Sequence, residues 1–170
     1  MGNNRYRKSE ELLDSALKSI PLGSQTFSKS ITQLPFGVSP YFVDKAKGAY
    51  FWDVDNNQYL DFSNALASVT LGYCDSDVDS AVKKQMKHGV TFSLPHTLEA
   101  DVANMLIDAI PCAEQVRFAK NGTDATSGAV RVARAFTGKE RVAVCGYHGW
   151  QDWYIGSTTK NLGVPKCVQN

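Results

Sequence analysis

Val116-Arg117-Phe118, then Asn121-Gly122-Thr123-Asp124-Ala125, then Arg141-Val142-Ala143-Val144-Cys145 running into Gly146-Tyr147-His148-Gly149-Trp150, decide the fold of this chain. The apolar segment 116–118 predicts a strand, 121–125 a turn and 126–136 a helix. Residues 141–145 predict a second strand. The interval from Val116 to Cys145 is about the 30 residues of a right-handed βαβ crossover. A glycine turn that opens a helix presents backbone N–H groups with no partner inside the helix, and such donors attract an anion. The loop 146–150 then adds an aromatic ring and an imidazole where a parallel strand ends, the usual place for a ligand in an α/β sheet.

A phosphate cradle beside a flat aromatic plate suits a flat, phosphorylated cofactor, and pyridoxal phosphate is the first candidate. The turn fits neither a Walker A loop nor a dinucleotide fingerprint, because both glycine spacings are absent.

The same residues resemble the V-R-F…[SN]-G-[TS]-[ED]-A block of class III aminotransferases, in particular the glutamate-1-semialdehyde aminomutase-like branch. The likeness continues through residues 130–138 and Tyr147-His148-Gly149. Upstream, Gly48-Ala49-Tyr50, Trp52-Asp53-Val54-Asp55 and Tyr59-Leu60-Asp61-Phe62 are similar to the family's G-A-Y-x-[WY]-D-V-D-G-x-x-Y-[LI]-D-[FY] segment. Leu71-Gly72-Tyr73 and Phe92-Ser93-Leu94-Pro95 follow in the family's order. The resemblance spans about residues 20–165, and its weight lies in the ordered series of blocks rather than in any one of them.

This resemblance implies an α/β architecture, the fold-type I of pyridoxal-phosphate-dependent transferases. The chain would supply the N-terminal segment and the start of a mainly parallel large-domain sheet. The implied division is 1–48 for an N-terminal helix and loop, 49–110 for a small-domain hairpin and linking helices, and 111–170 for the start of the cofactor-binding domain. It also implies that Asn121, Gly122 and Thr123 hold the phosphate, that Tyr147 stacks on the pyridine ring, and that His148 either touches cofactor or substrate or orders its loop. Asp124 is expected to contact the cofactor or to complement the helix dipole. Trp150 and Trp153 flank the loop and are core, interface or pocket aromatics. The family is well over twice as long as 170 residues, and its Schiff-base lysine and pyridinium-pairing aspartate lie downstream. No lysine here, Lys120, Lys139, Lys160 and Lys166 included, matches the reactive position. The chain is therefore expected to be the N-terminal part of a larger homodimeric enzyme acting on a small-molecule amino donor and a carbonyl acceptor.

Composition narrows the setting. With 43% hydrophobic residues there is enough for a core, and a net charge of +1 offers no basic surface for nucleic acid. No apolar run approaches the roughly 18–20 residues of a membrane span. The polar start, residues 1–8, does not look like a signal peptide. Cys74, Cys112, Cys145 and Cys167 lie far apart without a C-x-x-C pair, which points to reduced thiols in a cytoplasm rather than to a metal or a disulfide frame. His88 and His96 have no partner at ligand spacing.

Upstream, Ser9 is expected to cap a helix carrying Leu12, Leu13, Ala16, Leu17 and Ile20, ended by Pro21. Residues 22–40 read as loop. Residues 50–54 and 58–62 form a hairpin around Asp55-Asn56-Asn57, a turn in which Asn tolerates left-handed backbone. Helices follow from Ser76, stopped by Gly89, and from Pro95 to Ile110, closed by Pro111.

Two departures bear on substrate. Leu66 stands near the place where the aminomutase branch has a Trp, and 24–28 lacks the branch's Arg. Without an arginine to clamp a carboxylate, an amino-sugar or other carbonyl acceptor, as in polysaccharide-precursor aminotransferases, fits better than a keto-acid-like one. Three functions stay open: an aminotransferase, an aminomutase of the same cofactor class, and a catalytically dead phosphate-ligand or dimerisation module.

Overall fold

Asp53, fully buried in the β-hairpin, organises the N-terminal half of the computed structural model, which describes residues 5–169. Its Oδ1 accepts from the Asp55 N–H (3.0 Å) and the Asn57 N–H (2.7 Å), and its Oδ2 from Asn57 Nδ2 (2.8 Å) and the Tyr59 hydroxyl (3.0 Å). A buried carboxylate needs this full set of donors. It shapes the Asp55-Asn56-Asn57 turn, in which Asn56 is left-handed at φ 69°. The strands are β2 (Tyr50–Asp53) and β3 (Gln58–Leu60), shorter than expected by one residue at the turn and by two at the end of β3. Phe51 stacks on its cross-strand partner Tyr59 at 5.0 Å.

A third strand, β1 (Val43–Lys47), pairs antiparallel with β2 and completes the order β1-β2-β3. The sequence reading missed it because Asp44, Lys45 and Lys47 break the apolar alternation; the pairing skips one residue between Val43 and Lys45. Beyond β1, Gly48 exchanges backbone hydrogen bonds with Tyr73 (2.8 and 2.9 Å). Gly72, at φ +90°, must be glycine, because a Cβ there would lie 3.1 Å from the Gly48 carbonyl oxygen.

Helix α1 (Arg7–Ala16) corrects one expectation. Ser9 does not cap it but sits inside it, fully buried, its Oγ accepting from the Tyr41 N–H (3.2 Å). The helix start is satisfied from far along the chain: the Asp55 carboxylate accepts from the Lys8 and Ser9 N–H groups, both at 2.9 Å. An acid at a helix N-terminus is favourable whichever part of the chain supplies it, and local sequence cannot reveal one 46 residues away. Of the polar start, residues 1–4 lie outside the described residues.

After β3, Asp61 Oδ1 accepts from the Ser63 and Asn64 N–H groups. The single turn α2 (Asn64–Ala67) is wound left-handed, with φ of 49°, 47°, 60° and 66°. Non-glycine residues in that region cost about 1–2 kcal/mol each. Helix α3 (Ser76–Met86) is capped by Asp75, and Gly89 stops it at φ 104° as expected. Helix α4 (Thr97–Ala109) gives His96 a structural role: its Nδ1 accepts from the Leu98 N–H (3.1 Å) while Glu99 reaches back to the His96 N–H (3.0 Å), a reciprocal cap.

Two compact units divide at Thr91 and Phe92. In the second, α5 (Gly122–Thr137) closes at Gly138, left-handed at φ 67°, and a short α6 (Asp152–Ile155) follows. The strands expected at 116–118 and 141–145 do not form: both stretches lack regular structure. A strand exists only where a ladder partner exists, and among the described residues these segments pair neither with each other nor with anything else. Successive strands of a crossover need not be neighbours in a sheet. The helix between them needs no such partner, and it forms.

Candidate functional site

Asn121 is extended (φ −127°, ψ 157°), and the chain turns directly into α5. Its carbonyl accepts from the Asp124 and Ala125 N–H groups, both at 3.1 Å. The N–H groups of Gly122 and Thr123 keep no partner among the described residues, and a Cβ built on Gly122 meets nothing within 4 Å. Two donors at a helix start are thus left without a partner among the described residues, and the space beside Gly122 is open. Asp124 turns its carboxylate to Asn121 Nδ2 (3.1 Å), so that this first-turn acid is tied to the cap.

The loop 146–150 is drawn onto that helix start. Thr126 Oγ1 donates to the His148 carbonyl (3.0 Å), and Thr123 Oγ1 accepts from the Trp150 N–H (3.4 Å). Gly149, buried and at φ +111°, makes the approach possible: a Cβ there would lie 2.4 Å from Thr123 Oγ1 and 3.2 Å from Thr123 Cα. The glycine of Tyr147-His148-Gly149 is thereby explained by contact as well as by conformation.

All five predicted site residues therefore lie on two segments in direct contact. Tyr147 is 78% exposed, its ring edge-on to Tyr154 at 5.9 Å. His148 donates Nε2–H to the Cys145 carbonyl (2.6 Å), because a carbonyl can only accept, and its ring also meets Tyr154 (5.5 Å). The imidazole orders its own loop through Nε2 and leaves Nδ1 as the unused nitrogen. Trp153 is tied to α5 through Nε1–H to Ser127 Oγ (2.9 Å), while Trp150 stays exposed. The sequence reading missed Thr126, Ser127 and Tyr154. The first two are in the right register, one turn after Thr123, but a hydroxyl in a helix carries no signal of its own.

Two unpartnered amides at a helix start, an exposed aromatic ring and a glycine contact that joins their segments are an arrangement that could take a ligand with an anionic group and a flat ring. The family model described as aminotransferase class-III matches residues 34–169. The chain is 38% identical over 152 residues to the 3-aminobutyryl-CoA aminotransferase of Cloacimonas acidaminovorans, covering 89% of this chain and 36% of that one. It is 36% identical over 164 residues to the glutamate-1-semialdehyde 2,1-aminomutase of Desulfotalea psychrophila, covering 93% and 37%. The structure superposes on the FumI protein of Sphingopyxis sp. MTA144, solved in its PLP internal aldimine form, with a TM-score of 0.87 and 31% identity over 96% of this chain and 39% of that one. The chain thus spans little more than a third of the length of these relatives.

Proposed function

The chain belongs to the class-III aminotransferase family, and from that premise we propose that it forms the phosphate-binding and ring-stacking part of a pyridoxal-phosphate-dependent aminotransferase. The observation that carries the reading is the pair of Gly122 and Thr123 N–H groups, without a partner among the described residues, at a helix start that the Tyr147-His148-Gly149 loop touches through Gly149. When bound, pyridoxal phosphate supplies the electron sink for chemistry at the amino-bearing carbon of a substrate.

This chain's residues bind and orient. The Asn121-Gly122-Thr123 turn would hold the phosphate dianion with backbone donors and the positive end of α5. Tyr147, whose exposed ring is free to take a flat partner, would stack on the cofactor's ring. His148 holds the loop through Cys145. The lysines of this chain match no reactive position in the family's pattern, and we assign Asn121, Gly122, Thr123, Tyr147 and His148 binding and orienting roles only.

The absence of an arginine at 24–28 and the presence of Leu66 favour a carbonyl acceptor that needs no carboxylate clamp there, with amino sugars as the first class to test. The likeness to a glutamate-1-semialdehyde aminomutase supports one rival reading, in which the amino group returns to the molecule it left. Leu12 on α1 and Leu17 at its C-terminal cap remain exposed, apolar groups suited to a second copy, and we assign the enzyme as a homodimer. None of the helices among the described residues is long and apolar enough to cross a membrane, and a cytoplasmic location fits the four unpaired cysteines.

Equilibrium dialysis of the protein against pyridoxal phosphate and against pyridoxal, which lacks the phosphate, tests the cradle. Binding of the phosphate ester alone supports it, and equal binding of both refutes it. Incubation with separate donor and acceptor then distinguishes transfer between molecules from transfer within one.

A further inference from the structure

The exposed ring of Tyr147 sits on a loop with glycines on either side of it, Gly146 at φ 81° and Gly149 at φ 111°. Such a loop does not by itself hold a ring in one orientation. Among the described residues its hydroxyl makes no hydrogen bond and its only aromatic partner is Tyr154. Tyr154, by contrast, is only 9% exposed. Its hydroxyl donates to the Gly146 carbonyl (2.9 Å), and its ring meets Tyr147 edge-on at 86°, His148 at 89° and Trp153 at 62°. Edge-to-face pairs of this kind hold a definite geometry.

Its neighbour on α6 faces the other half of the site. Trp153 Nε1–H donates to Ser127 Oγ (2.9 Å), which in turn donates to the Thr123 carbonyl (2.8 Å). One short helix is thus bonded both to the turn that offers the free amides and to the loop that offers the ring.

We propose that Tyr154 is a positioning residue that fixes the plane of the Tyr147 ring relative to the Gly122 and Thr123 amides, and so sets the hold on a cofactor's ring but not on its phosphate. The clause about the cofactor rests on the function proposed above; the clause about the ring does not.

Fluorine NMR with 3-fluorotyrosine placed at 147, and ring-to-ring Overhauser contacts in the unmodified protein, test the second clause. Contacts between the 147 and 154 rings are expected, and their absence overturns the proposal. Tyr154→Leu should move the fluorine resonance toward that of the free amino acid and narrow it; a resonance unchanged in shift and width overturns the proposal. Tyr154→Phe keeps the ring edge and should keep the resonance. Should the leucine variant fail to fold, loss of the resonance position in the phenylalanine variant overturns the proposal instead.

Affinity tests the first clause. Tyr154→Leu should weaken pyridoxal phosphate about fivefold and leave inorganic phosphate unchanged, with no further loss when Tyr147→Leu is already present. Equal weakening of both ligands would show that Tyr154 only supports the fold of the cradle. A parent protein that binds no pyridoxal phosphate sinks the cofactor reading, while the fluorine spectra still decide the ring contact.

Discussion

Gly149→Ala is the sharpest single perturbation of the proposed site. Two costs arise at one atom. A non-glycine residue at φ +111° carries about 1–3 kcal/mol of backbone strain. The new methyl would also start 2.4 Å from Thr123 Oγ1 and 2.8 Å from Thr123 Cβ, an overpacking worth about 1–3 kcal/mol more. Thr123 is β-branched and its backbone is fixed at the start of α5, so it has little room to yield. The cheaper response is for the loop to withdraw. Withdrawal gives up the Thr126–His148 and Thr123–Trp150 hydrogen bonds, about 1 kcal/mol each, and takes Tyr147 away from the cradle. The cradle itself is left in place. Pyridoxal phosphate should therefore weaken by about tenfold, while inorganic phosphate binds as before and thermal unfolding falls by a few degrees. Adding Thr123→Ala removes the nearest atom and should restore part of the stability. Dialysis and differential scanning calorimetry on the single and double variants read both quantities. Unchanged ligand affinity and unchanged unfolding in Gly149→Ala would refute the contact on which the site is built.

Other consequences follow from separate parts of the chain. Tyr147→Ala should loosen pyridoxal phosphate by about 0.5–1.5 kcal/mol without altering phosphate binding, read by dialysis. Asp55→Ala removes the carboxylate that accepts from Lys8 and Ser9 N–H, and should cost about 1–2 kcal/mol in denaturant unfolding and speed amide exchange in α1. The Tyr73 hydroxyl donates to Asp61 (2.6 Å) and holds that carboxyl below its ordinary value of 3.8, against the opposing effect of burial. A depressed acid stabilises the fold fully above its unfolded value and loses that effect as pH falls through the folded one. Tyr73→Phe should therefore destabilise at neutral pH and flatten the acid limb below about pH 4, seen in pH-dependent melts. Borohydride treatment of residues 1–170 with pyridoxal phosphate, followed by peptide mapping, should give no single stoichiometric labelled lysine and no turnover; a unique label with turnover would place the reactive lysine within this chain.

What the sequence made legible follows from how local each cause is. The Asp55-Asn56-Asn57 turn and the left-handed Gly89 after α3 rest on nearest neighbours and backbone preference, and they stand where the sequence puts them, whereas α5 begins at Gly122, four residues before the expected start, because the stretch read as a turn is its first turn. The site residues were legible because glycine and aromatic positions stand out in order along the chain. Ser9 was misread because a serine before an apolar run looks like a cap, while the true acceptor, Asp55, is distant in sequence. β1 was missed because an edge pairing tolerates Lys45 and Lys47. Residues 116–118 and 141–145 have strand composition, but a parallel strand is a property of its neighbours, and composition does not supply them. Tyr154 was invisible because its importance lies in three ring contacts and one hydroxyl, none of them periodic.

The central claim is that the backbone amides of Gly122 and Thr123 hold the phosphate of a pyridoxal cofactor. Titrating ¹⁵N-labelled protein with pyridoxal phosphate and following every amide resonance tests it most directly. The account predicts that Gly122 and Thr123 shift most and move downfield as they gain an anionic acceptor, with Tyr147 and His148 next. Saturable binding that leaves those two amides unmoved would contradict it.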